Sequence, residues 1–203
     1  MNRAPKDRKP WPMKWIVVSI LVFIPVYTYL TLHYRRPGPA FNPYRDMRDR
    51  ADVIRLLKAG YQRVSLDASR PVEDAREASA PMSAAPGGLP EDLRTTLVES
   101  PLLPLEVKTV SAAATAVSGI DYQIALDYTI PDNKRQLSGA HLYLKPGEIV
   151  IVPDFERLAG ELLARTRDGS ALLDVPPGSL RPGTYRDTLV GERSSRSWTL
   201  RVR

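Results

Sequence analysis

Twenty consecutive residues, Trp15 to Tyr34, contain no Asp, Glu, Lys or Arg. As a helix at ~1.5 Å per residue such a run is about 30 Å long, the thickness of a bilayer's hydrocarbon core. Trp11 and Trp15 mark one end, and Tyr27, Tyr29 and Tyr34 crowd the other, where interfacial aromatic rings belong. Arg35 and Arg36 follow at once. The run predicts a transmembrane helix over 15–34 with a basic N-terminus over 1–14, and the membrane interface residues are Trp11, Trp15, Tyr34, Arg35 and Arg36. A cleaved signal peptide fits less well, because its apolar core would be shorter, and the small-residue stretch Gly38 to Ala40 is a poor cleavage site, with Pro39 inside it and Arg35 and Arg36 before it. Pro25 is of a kind that membrane helices tolerate.

Charge around this segment explains the basic composition. Residues 1–36 hold Arg3, Lys6, Arg8, Lys9, Lys14, Arg35 and Arg36 against Asp7, which accounts for the whole net charge of +6. The rest of the chain is neutral, so no basic patch on a folded domain points to nucleic acid. Five cations precede the run (Arg3, Lys6, Arg8, Lys9, Lys14) and five follow closely (Arg35, Arg36, Arg45, Arg48, Arg50). The positive-inside count is a tie. The usual behaviour of a short basic N-terminus then predicts that end in the cytoplasm and the C-terminal domain outside, periplasmic or extracellular, on an inner-membrane anchor.

Residues 35–67 read as a juxtamembrane helix and a short strand. Pro37 and Pro39 break the first helix, Asn42 has the chemistry of an N-cap, Pro43 suits the first helical position and Gly60 suits the stop. Met47, Ala51, Ile54 and Leu57 form one stripe. The stripe is narrow and the other face is charge-balanced, so it is expected to pack on the protein's own domain rather than on lipid headgroups or a membrane partner. Residues 68–101 begin with a Pro/Ala-rich run poor in large apolar side chains, read as a linker, and end in a short helix around "PEDLRTTLVES".

From Leu102 the pattern changes to period two. "IDYQIALDYTI" alternates Ile120, Tyr122, Ile124, Leu126, Tyr128 and Ile130 with smaller or polar residues. "LPLEVKTV", "LSGAHLYLK", "EIVIVP", "ALLDVP", "TYRDTLVG" and "SRSWTLRVR" are further short strands between Pro, Gly and Asp turns, and "RDG" at 167–169 reads as one of those turns. Such a count and spacing predict an antiparallel β-sandwich over 102–203, with a core of its own. "LRPGTY" before the penultimate strand resembles the tyrosine corner of immunoglobulin-like and fibronectin type III-like sandwiches. That resemblance implies that Leu180 plugs the core, Pro182 and Gly183 turn the chain, and Tyr185 hydrogen-bonds back to the preceding connection. The sequence has no Cys and no Trp in the middle strand, so an antibody-type domain does not fit.

Chemistry is sparse. The two His, His33 and His141, lack a second His at ligand spacing, which argues against a metal site. Asp121 and Asp127 lie about 20 Å apart on one strand, too far for a glycosidase pair. Asp154 and Glu156 fall in an apparent turn. No nucleophile elbow, phosphate-binding loop or dinucleotide fingerprint occurs, so neither catalytic residue nor cofactor is expected. The expected class is a non-catalytic membrane-anchored protein that binds or positions a partner protein. That layout resembles, in architecture alone, single-helix accessory subunits of bacterial respiratory oxidases. The other reading is an envelope carbohydrate-binding module, for which Tyr143 is the one outward aromatic.

Overall fold

The computed structural model describes residues 12–34, 43–70 and 80–203. These fall into two units, divided between Pro43 and Tyr44. The first contains α1, Met13–Tyr34, an unbroken helix through Pro25 whose described side chains are all exposed. It is long and apolar enough, by length and composition, to cross a membrane.

The second unit opens with α2 (Pro43–Lys58), then β1 (Gln62–Ser69), β2 (Ser83–Pro86) and α3 (Glu91–Thr96). The strands β3 (Glu106–Ala112), β4 (Thr115–Ala116), β5 (Tyr122–Thr129), β6 (Arg135–Lys145), β7 (Glu148–Arg157), β8 (Asp168–Val175), β9 (Gly183–Leu189) and β10 (Ser194–Val202) follow. All seven stretches with strand-like alternation after Leu102 form strands. Asp168 and Gly169 begin β8 rather than making a turn.

The strands do not make a sandwich. Their pairing runs β10–β3–β5–β8–β1–β6–β7–β9 and returns to β10, a closed eight-stranded barrel, with β2 and β4 added along β10. Three pairings decide this. β1 lies between β8 and β6, so one stave comes from residues 62–69, ahead of the Pro/Ala-rich run. β7 and β9 pair in parallel, which joins the two halves of the sheet. β10 pairs along its length with β9 and meets β3 through Ser194 and Glu106. That last seam is narrow, and Arg196 strengthens it: its Nε donates to the Val107 carbonyl at 3.2 Å and Nη2 to that of Lys108 at 2.9 Å. Closure satisfies the sheet edges that an open sheet would leave unpaired.

An eight-stranded barrel is just wide enough for side chains to fill. The inward residues do so: Leu66 on β1, Ile124 and Leu126 on β5, Leu142 and Leu144 on β6, Ile149 and Ile151 on β7, Leu173 on β8, and Trp198 and Leu200 on β10. A second, smaller cluster lies on the outer face of β6 and β7. There Tyr143, Val150 and Val152 are covered by Leu56 of α2 and Leu93 of α3, with Tyr61 and Val190.

α2 stops as its sequence suggests. Gly60 has φ +80, Gly60 N–H donates to the Leu57 carbonyl and Tyr61 N–H to that of Leu56. This is a Schellman cap with its usual apolar contact, Tyr61 on Leu56. The packing of α2 reverses the expectation for its stripe. Asp52 and Leu56 face the barrel, while Met47, Ile54 and Leu57 are exposed.

Candidate functional site

α2 covers only part of the outer face of β1, β6 and β7. Beside the second cluster the same face opens as a groove of about 640 Å³. Alternation along the strands builds its floor. Arg63 and Ser65 of β1 stand opposite Tyr143 and His141 of β6, and Asp154 of β7 stands opposite Gly139. One wall is the middle of α2, with Asp49 and Asp52, and the other is the segment from Leu97 to Leu102. Asp52 joins the walls, since its Oδ1 accepts the Val98 N–H at 2.7 Å.

Two local features shape the floor. The β6–β7 register shifts between Leu137 and Gly139, and Ser138 at that bulge donates from Oγ to Asp154, at 3.1 Å to its carbonyl and 3.3 Å to its carboxylate. A side chain at Gly139 would sit 2.7 Å from the Leu66 carbonyl, so only glycine lets β1 come this close to β6.

At the centre is His141. Its Nδ1 lies 3.5 Å from Ser65 Oγ and its Nε2 lies 3.9 Å from an Asp154 carboxylate oxygen. Burial holds its pKa below the ordinary histidine value, against the pull of Asp154, so the ring is neutral at pH 7. A hydroxyl, an imidazole and a carboxylate therefore meet across three adjacent strands. The first distance is at the limit of a hydrogen bond and the second is beyond it. Around them the groove carries Asp49, Asp52, Glu99, Asp154 and Glu156 against Arg63 and Arg157. Among the described lining residues carboxylates outnumber guanidinium groups.

None of the corner or interface residues lies in this groove. Tyr185 is buried and its hydroxyl donates to the Arg181 carbonyl at 2.9 Å; Leu180 is buried, with its carbonyl accepting from Ser118 Oγ at 2.6 Å. Pro182 and Gly183 are exposed at the turn into β9. The corner thus exists as a local structure, on a barrel and not on a sandwich. Trp15 is exposed on α1 and Tyr34 ends that helix, while Trp11, Arg35 and Arg36 lie outside the described residues.

Two sequence readings change. Tyr143 does point outward by alternation, but it is 3% exposed beneath α2, and burial pushes its hydroxyl pKa up to about 12. The carbohydrate reading loses the ring on which it rested. Asp154 and Glu156 belong to β7 and not to a turn. Asp127 accepts hydrogen bonds from Ser170 (2.6 Å) and Thr109, a cross-strand structural role.

The barrel interior also holds an acid that sequence patterning missed. Asp187 of β9 is 1% exposed, and among the described residues neither carboxylate oxygen has a hydrogen-bond partner. Burial raises its pKa to about 8. Nearby, Trp198 Nε1 donates to the Tyr122 hydroxyl at 3.2 Å, and that hydroxyl donates to the Ala113 carbonyl at 2.9 Å. Among the described residues no group of three His, Asp or Glu side chains is placed to hold a metal ion.

The chain matches no protein-family model, no curated protein and no solved structure.

Proposed function

We propose that this chain is a non-catalytic, membrane-anchored binding protein. α1 crosses the inner membrane with its N-terminus in the cytoplasm, and the barrel stands on the other side. There it receives a segment of a partner protein, as an accessory or assembly subunit of a membrane complex would. The observation that carries this reading is the acidic groove beside α2, with neutral His141 and Ser65 on its floor. Carboxylates outnumber guanidinium groups among its lining residues, which favours a partner segment carrying Lys or Arg. His141 in its neutral form offers one donor and one acceptor to such a segment. A prefolded barrel and a cap-locked α2 present the groove without an ordering cost on binding.

A photo-crosslinking side chain at Ser100, on the groove wall, tests this in native membranes, with Gln123 on the outer surface of β5 as the control position. The expected result is a discrete adduct from Ser100 that Asp154→Arg abolishes. Equal, diffuse labelling from both positions would remove the groove as a binding site. Active phosphatase fused at the C-terminus would support the orientation, and a fusion active only in the cytoplasm would reverse it.

A further inference from the structure

The stripe on α2 that points away from the barrel is exposed among the described residues of its unit. Met47 is 66% exposed, Ile54 55% and Leu57 65%, with half-buried Ala51 between them. Among the described side chains of α2, Asp49 and Asp52 turn to the groove, whereas Arg50, Arg55 and Lys58 are exposed. Arg50 and Lys58 lie on the same helical face as this stripe, each four residues from Ile54, where their long stems can run along an acyl boundary while their charges reach the phosphates of an anionic bilayer. A soluble helix would present the opposite arrangement, with its stripe on the core.

Chain length selects the bilayer as occupant. Only residues 35–42 separate α1 from α2. At full extension, ~3.3–3.6 Å per residue, that connection reaches about 30 Å, so α2 must begin close to the surface α1 leaves. Resting on the reading of α1 as a membrane anchor, we infer that α2 lies on that surface as an interfacial helix. Met47, Ala51, Ile54 and Leu57 enter the acyl boundary, and Arg50 and Lys58 meet lipid phosphates.

The chain lacks cysteine, so one substitution creates a unique labelling site. The full chain is reconstituted in vesicles of phosphatidylcholine and phosphatidylglycerol, with a nitroxide at Ile54→Cys, at Val22→Cys in α1, or at Pro146→Cys in the exposed β6–β7 turn. Relaxation by oxygen, which dissolves in lipid, is compared with relaxation by a water-soluble nickel chelate. Oxygen is expected to dominate at positions 22 and 54 and nickel at 146. Nickel dominance at 54 with oxygen dominance at 22 overturns the interfacial helix and leaves the anchor standing. Nickel dominance at 22 overturns the anchor, and this inference with it. Spin–spin broadening at 54 that disappears on dilution with unlabelled protein assigns the stripe to a second copy and overturns the lipid assignment.

Discussion

β5 and α2 both carry a clear apolar periodicity, and the two end in opposite surroundings. On β5, Tyr122, Ile124 and Leu126 point into the barrel and are buried by staves from every side. On α2, Met47, Ile54 and Leu57 point away from the barrel and remain uncovered. Periodicity states that one face of an element is apolar. What covers that face depends on neighbours the element itself does not encode. For β5 the neighbours β3 and β8 are set by hydrogen bonding on both edges. For α2 the seat on the barrel is decided by Leu56, Asp52 and the cap at Gly60, which hold the helix with its stripe outward.

The comparison is tested most strongly inside the barrel. Leu173 on β8 is fully buried opposite Ile124. Leu173→Ala is expected to cost about 3–5 kcal/mol, read from urea melts of the full chain in mild detergent. A loss below about 1 kcal/mol would mean that the interior is loosely filled. Asp187 comes next. Its carboxyl keeps its proton in the folded state up to about pH 8, whereas the unfolded chain releases it near the ordinary carboxylate value of 3.8. Its contribution to stability is therefore full below about pH 4 and falls as pH rises towards 8. Asp187→Asn should flatten that slope and stabilise the protein at pH 7.5 by on the order of 2 kcal/mol. Parallel pH profiles for the two proteins would show that the carboxyl is not held neutral.

Tyr185→Phe removes the hydroxyl bonded to the Arg181 carbonyl and should cost about 1 kcal/mol. An unchanged midpoint would reduce the corner to an ordinary turn. The smallest effect belongs to α2. Ile54→Ser alters an exposed side chain and should change the unfolding free energy in detergent by less than about 0.5 kcal/mol. A large loss there would place the stripe in a core after all, and would erase the contrast with β5.

Much of the local structure is legible in the residues. Alternation locates the strands after Leu102, Pro43 and Gly60 bracket α2, and "LRPGTY" forms its corner hydrogen bond. These depend on backbone sterics and on neighbours a few positions away. The groove is not legible in that way. Ser65, His141 and Asp154 share it because β1 pairs with β6 and β6 with β7, and Ser65 and His141 are 76 positions apart. Tyr143 shows the same limit from another side: alternation gives its direction, but only the seating of α2 and α3 decides that it is buried.

Sequence alone determined that this chain has an uncharged membrane-length helix, a capped amphipathic helix close behind it and a run of short strands, since each is a matter of local polarity, period and turn chemistry. Tertiary structure decided that the strands close into a barrel. An inward-facing residue alternates identically in a sandwich and in a barrel, and closure rests on which edges find each other: β1 between β8 and β6, β7 beside β9, and β10 against both β9 and β3. Those pairings are backbone hydrogen bonds between distant segments, and backbone groups are the same in every residue except proline, so side-chain patterning leaves no record of them.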